Sequence, residues 1–313
     1  MKSPQKYSHA SILTSQFSAQ SSTSSPKPTE FFCKPTIKMK FSSTIIALFA
    51  AGALAAPSGH GLAARTEARA AGRSRLSTPR RPASDTLNAE LDGEATNATH
   101  VDYSSNWSGG VLTSPPAGAT FTSVSAQFTV PTPKPVNGKA GSSSAWVGID
   151  GDTYQKAILQ TGIDLSVTAD GAVSYDAWYE WYPDYAYDFS GISISAGDEI
   201  AVSVVSTSST AGTAVIENLT KGQIVSKELT APRSSAKLAG QNAEWIVEDY
   251  EENGSLVTLD NFGTVTFTSA SAGLSNGNSV GTTGADILDI RQNGTVLTSA
   301  SVPSSSEVVV TYV

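Results

Sequence analysis

The sequence has 313 residues and a formal charge of −8, with 20 Lys and Arg against 28 Asp and Glu. The charge is uneven: 12 of the 20 basic residues precede residue 82, whereas from residue 101 on 22 acidic residues face 8 basic ones. An acidic body poor in Lys and Arg argues against nucleic acid or an anionic membrane as partner. Cys33 is the single cysteine and the histidines are His9, His60 and His100, so neither type occurs from Val101 to Val313. That region therefore carries no Cys nucleophile, no Ser-His-Asp triad and none of the usual zinc ligand sets. No metal or other cofactor is expected. Without disulfides the body must be held by its core, and it is long enough to bury one.

Residues 1–38 are polar and Ser-rich. Residues 39–56, MKFSSTIIALFAAGALAA, combine a basic start, a short apolar run and the small-residue exit Ala53-Leu54-Ala55. This is the pattern of a secretory signal, and the run is too short to span a membrane. Such signals stand at the start of a chain, and Met39 is the only Met besides Met1. Residues 1–38 are therefore expected to be an extension ahead of the true start, and the protein to be secreted. In 57–100 the basic residues Arg65, Arg69, Arg73, Arg75, Arg80 and Arg81 crowd together among Ala, Ser and Pro. A disordered basic linker has this composition. The contrast with the acidic body favours a propeptide whose arginines pair with an acidic cleft and inhibit it.

From residue 101 the pattern changes to short runs rich in Val, Ile, Thr, Tyr and Trp, at 121–130, 145–149, 157–159, 175–182, 200–205, 214–217, 243–250, 264–268 and 308–313. Gly, Asn, Asp, Ser and Pro separate them, and no helix-length amphipathic stretch occurs. This predicts an all-β sandwich or barrel over 101–313. Five N-x-S/T sequons, at Asn97, Asn106, Asn218, Asn253 and Asn293, agree with secretion.

Alternate residues of a strand share a face. Trp146, Gly148 and Asp150 share one, as do Ile158, Gln160, Gly162 and Asp164. Asp176, Trp178, Glu180 and Tyr182 share another, as do Glu244, Ile246, Glu248 and Tyr250. Trp245, Val247 and Asp249 take the opposite side of the last strand. Aromatics interleaved with carboxylates and an amide on four strands suggest a cleft for an extended polymer, peptide or sugar. Two chemistries run on such groups. One is glycoside hydrolysis by a carboxylate pair on a jelly-roll sandwich. The other is peptide hydrolysis, in which a carboxylate activates water and a donor holds the oxyanion. A carbohydrate-binding module with no catalysis is the third reading.

The segments SNWSGG (105–110), AWVGIDGDT (145–153), AILQTGID (157–164), YDAWYEWYPD (175–184), DFSGISISAGD (188–198) and NAEWIVEDYEE (242–252) resemble, in order, the eqolisins, the glutamic peptidases of fungi. The resemblance implies a β-sandwich of two large antiparallel sheets, concanavalin- or jelly-roll-like, with the site on a concave face. It implies a monomeric endopeptidase acting on polypeptides, with Gln160 and Glu248 as the catalytic pair. It places Trp107, Trp146, Asp150, Asp164, Asp176, Glu180, Tyr182, Tyr250 and Glu251 in the substrate cleft. Tyr154 stands where some members carry Cys.

Overall fold

Strands account for nearly all the regular structure, as the run spacing predicts. The computed structural model describes residues 75–83 and 101–313, all within one unit, Gly59–Val313. The expected extension 1–38, the signal 39–56 and the rest of the 57–100 segment lie outside the described residues. The first ten strands are β1 (Arg75–Leu76), β2 (Val101–Ser104), β3 (Trp107–Leu112), β4 (Phe121–Thr129), β5 (Gly141–Ile149), β6 (Ile158–Val167), β7 (Val173–Tyr182), β8 (Tyr187–Asp188), β9 (Glu199–Ser208) and β10 (Ala211–Asn218). There follow β11 (Gln223–Thr230), β12 (Ala243–Glu248), β13 (Glu251–Glu252), β14 (Ser255–Leu256), β15 (Thr264–Leu274), β16 (Ser279–Val280), β17 (Asp286–Gln292), β18 (Thr295–Val296), β19 (Thr298–Ser304) and β20 (Glu307–Tyr312). No helix occurs among the described residues.

Two large sheets form an all-β sandwich. The nine-stranded sheet runs β18-β17-β3-β12-β5-β6-β7-β8, with β2 beside β17. The eight-stranded sheet runs β11-β10-β9-β4-β15-β20-β19, with β16 beside β15. Pairing is antiparallel apart from β2 against β17, which is parallel. Turn chemistry explains several reversals. Asn253-Gly254 and Asn293-Gly294 carry positive φ at both positions, 55° and 79°, and 51° and 78°. Two-residue loops of that kind match the twist of paired strands, and here they join β13 to β14 and β17 to β18.

Period-two alternation sorts the side chains. Val147, Ile149, Leu159, Ile163, Trp245 and Val247 face inward and pack with Val124, Phe128, Val202, Val204, Ile216 and Phe267 of the other sheet. Burying each such side chain contributes roughly 1.5–3 kcal/mol, which is how a chain without disulfides in this region holds together. The other face of the nine-stranded sheet carries a second buried cluster of Trp107, Trp146, Ile158, Trp178 and Ile246. Gly162 makes room for it: a Cβ there would lie 2.5 Å from that of Trp146 and 2.3 Å from the Ala145 carbonyl oxygen. Two of the sequons are structural. Asn106 and Asn218 are fully buried, and the Asn218 side-chain amide donates to the Ser193 carbonyl and to Asp198.

Candidate active site

The strand register writes the cleft face as rows. Glu244 lies opposite Gly148, Gly148 opposite Gln160, and Gln160 opposite Glu180. The next row is Ile246, Trp146, Gly162 and Trp178, and the next Glu248, Ser144, Asp164 and Asp176. Gln160, Glu180, Glu244 and Glu248 are all fully buried. Glu248 accepts from Trp146 Nε1 at 3.0 Å, and the Trp146 ring meets Trp107 edge-on with centroids 5.0 Å apart. Gln160 Nε2 donates to Glu180 Oε1 at 3.2 Å.

Over these rows lies the chain's own basic segment. β1 pairs antiparallel with β13, making a small third sheet with β14. The Arg75 guanidinium binds both oxygens of Asp164, at 2.8 and 2.7 Å, and reaches Ser144 Oγ at 3.0 Å and Glu180 at 3.4 Å. It sits 3.9 Å from the centre of the Trp178 ring and 4.6 Å from that of Tyr250. The backbone is held as well. Ser77 N–H donates to Glu180 at 3.1 Å, and Thr78 N–H donates to Glu248 Oε1 at 3.0 Å. Trp107 Nε1 donates to the Thr78 carbonyl at 3.0 Å, which the Asn106 side-chain amide also reaches. Further along, Arg80 pairs with Asp102 and Asp152, and Arg81 with Glu251 at 2.6 Å.

Of the residues predicted from sequence, Trp107, Trp146, Asp164, Glu180, Tyr250 and Glu251 all touch this segment or the buried pair beneath it. Tyr182 packs beside the tryptophan cluster, and Asp176 lies exposed at the end of the Asp164 row. Asp150 departs from the expectation. It sits at φ 67° and both its oxygens are taken by the N–H groups of Ala239, Gly240, Gln241 and Asn242. It anchors a loop, because a short acid after Ile149 in an Asp-Gly turn can turn back onto backbone amides. Ser144 and Asn106, the latter marked in the sequence only as a sequon, carry no sequence signal as cleft residues. Small polar residues give no signal until register shows what lies opposite them. Tyr154, where a Cys was the alternative, donates its hydroxyl to the Lys237 carbonyl.

Burial governs the ionisation of the cleft. It raises the Glu248 carboxyl to about 7, with Arg75 pulling the other way. It raises Glu180 well above the usual range, again opposed by Arg75. Glu244 is raised well above it too, with Asp150 and Asp152 adding to the effect of burial. Behind the cleft, burial raises Asp249 and Asp260 to about 7 each. A carboxyl with a higher pKa in the fold than in the unfolded chain keeps its proton preferentially in the fold. Its stabilisation is complete below the ordinary value of about 4 and is lost as pH rises through about 7. One group moved by about three units amounts to about 4 kcal/mol, or about 10 °C for a domain of this size. The Tm is therefore expected to fall by about 10 °C or more between pH 4 and pH 8, and Asp260→Asn to shrink that fall. A melting scan with the same Tm at both pH values would contradict it.

No group of three or more His, Cys, Asp or Glu suited to a metal ion occurs among the described residues. The Peptidase A4 family profile matches residues 105–312. Aspergillopepsin-2 of Aspergillus niger is 48% identical over 296 residues, covering 88% of this chain and all of that one. Scytalidopepsin B of Scytalidium lignicola is 43% identical over 281 residues, covering 86% and 98%. Among solved structures, scytalido-glutamic peptidase with a transition state analog inhibitor superposes with a TM-score of 0.60 at 45% identity, over 67% of this chain and 98% of that one. Aspergilloglutamic peptidase from Aspergillus niger gives 0.53 at 55% identity, over 55% and 99%. With these matches across the whole sandwich, the chain belongs to the Peptidase A4 family, the eqolisins.

Proposed function

We propose that this peptidase is a secreted acid endopeptidase in which Glu248 and Gln160 are the working pair and residues 75–83 are the inhibitor in place. The observation that carries the reading is the bound segment itself. An extended stretch of polypeptide follows the cleft, and Glu248 takes the Thr78 amide N–H at 3.0 Å. A cleft that satisfies successive backbone N–H and C=O groups is built for peptide, which weighs against the sugar-binding alternatives.

With substrate in that track, ionised Glu248 takes a proton from a water molecule. The water oxygen bonds to the scissile carbonyl carbon, and the carbonyl electrons move onto oxygen. The Gln160 amide has a second N–H beyond the one bonded to Glu180, and it donates to the developing oxyanion. Such a donor counts because its bond is stronger in the transition state than in the ground state. Glu248 then gives its proton to the leaving nitrogen as the C–N bond breaks. The position of the Thr78 N–H at Glu248 matches that last step. A glutamate base suits acid, where a histidine would be protonated. Burial is the largest cause of the high Glu248 pKa, and Arg75, Ser77 and Thr78 of the segment oppose it. Release of the segment opens the carboxylate to water and withdraws those three contacts together.

The test is digestion of a denatured protein at pH 4 by the processed enzyme. Gln160→Ala is expected to lower kcat by about 10²- to 10³-fold. Hydrolysis of a polysaccharide with none of protein would overturn the reading.

A further inference from the structure

Glu244 is a fully buried acid of the cleft face that the reaction above does not use, and its surroundings are unusual. Neither of its carboxylate oxygens has a hydrogen-bond partner. Gln160 is fully buried too, and its Oε1 is likewise without a partner, although its Nε2 is held by Glu180. Leaving a buried polar atom unpaired costs about 1–3 kcal/mol, so three such atoms in one place ask for a common explanation.

They occupy one row. Glu244 on β12 and Gln160 on β6 flank Gly148 on β5 at the same register. Neighbouring strands stand about 4.8 Å apart, so the two residues are about 10 Å apart at the backbone and point to the same face. Two long side chains can close that gap only if nothing stands between them, and the residue between them has no side chain. A Cβ on Gly148 would lie 3.0 Å from Glu244 Oε1, 3.3 Å from Gln160 Cβ and 2.8 Å from the Trp146 ring. Glu180 takes the Gln160 N–H from the far side, which leaves Oε1 for the Glu244 side. Nothing basic is paired with Glu244; its charged neighbours, Asp150 and Asp152, are acids that favour its uncharged form.

We infer that Glu244 is a positioning residue: its carboxyl O–H, directly or through one bridging water, donates across the gap at Gly148 to Oε1 of Gln160. The Gln160 amide is then gripped at both ends. Glu180 takes one N–H, Glu244 supplies the hydrogen to Oε1, and the remaining N–H is aimed at the substrate oxyanion. A glutamine is symmetric in shape about its amide, so without such a grip it can flip and turn its oxygen toward the oxyanion. The inference rests on the peptidase reading above and extends it by one residue.

The experiment compares processed wild type, Glu244→Gln, Glu244→Met and Glu248→Gln on one synthetic peptide at pH 4. Glu244→Met, which cannot donate, is expected to lower kcat by about 10²-fold with KM within about twofold. Glu244→Gln keeps an N–H donor and is expected to restore kcat to within about fivefold of wild type. Full activity of Glu244→Met, or a loss confined to KM, overturns the inference. Full activity of Glu248→Gln instead overturns the Glu248–Gln160 pair on which the inference rests. Should Glu244→Met not fold, the infrared difference between wild type and Glu244→Gln at pH 7 decides. A protonated carboxyl band lost in the variant supports the donor role, and a carboxylate band alone overturns it.

Discussion

Glu248→Gln is expected to lower kcat on a peptide substrate at acid pH by about 10³-fold or more, with KM changed less than about threefold. The substitution keeps the shape of the side chain and an oxygen for Trp146 Nε1, which donates to Glu248 at 3.0 Å. What it removes is the proton traffic. An amide neither takes a proton from water nor delivers one to the leaving nitrogen, and in the proposed mechanism both steps run through the same carboxyl. The neighbouring acids cannot substitute. Asp249 follows the end of β12 and is held by Gln292 Nε2 at 2.7 Å, and Glu244 lies four residues along the strand. Steady-state kinetics with a synthetic peptide checks this, and a Glu248→Gln enzyme with wild-type kcat would end the assignment.

Arg75→Ala is expected to weaken inhibition by the 57–100 segment, added in trans to the processed enzyme, by about 10²-fold or more. Arg75 is nine-tenths buried, charged and bound by Asp164 through two hydrogen bonds. It is also sandwiched between the Trp178 and Tyr250 rings, a seat that its flat guanidinium fits. Breaking one side of a buried pair costs about 3–5 kcal/mol, and about 1.4 kcal/mol is a factor of ten. Arg75→Lys should lose about tenfold, since an ammonium cannot form the bidentate contact or stack as well. Arg81, which is half exposed beside Glu251, should matter far less, because exposed pairs contribute about 1 kcal/mol or below. Equal inhibition constants for the Arg75→Ala and unaltered segments would remove the inhibitory role from this contact.

The strands that the sequence announced are those with a buried face. Alternation of Val, Ile, Phe and Trp located β4, β5, β7, β9, β12 and β20, because only burial on one side forces a period of two. It also sorted Glu244, Ile246 and Glu248 onto the face opposite Trp245 and Val247. The apolar run at 157–159 marks only the start of β6, which continues to Val167, the extension that puts Ile158, Gln160, Gly162 and Asp164 on one face. β3 and β11 leave no strand signal in the sequence. β3 carries the Gly109-Gly110 pair, and β11 is an edge strand whose exposed positions dilute its alternation. The parallel pairing of β2 with β17 joins residues more than 180 positions apart and leaves no local mark.

Sequence by itself determined the chemistry available to this protein. With no His or Cys after residue 100, catalysis falls to carboxylates, amides and water, and alternation decides which acids of AEWIVEDYEE share a face. It also raised the expectation of a basic segment matched to an acidic body, since net charge is a sum over residues and needs no coordinates. Tertiary structure alone decided which partners meet. Only register sets Gln160 between Glu180 and Glu244, turns Asp150 into a loop anchor, and gives Arg75, rather than Arg80 or Arg81, the buried seat. The reason is physical: a strand's periodicity specifies the face a side chain takes, whereas its neighbours across the sheet are fixed by pairings between segments far apart in the chain.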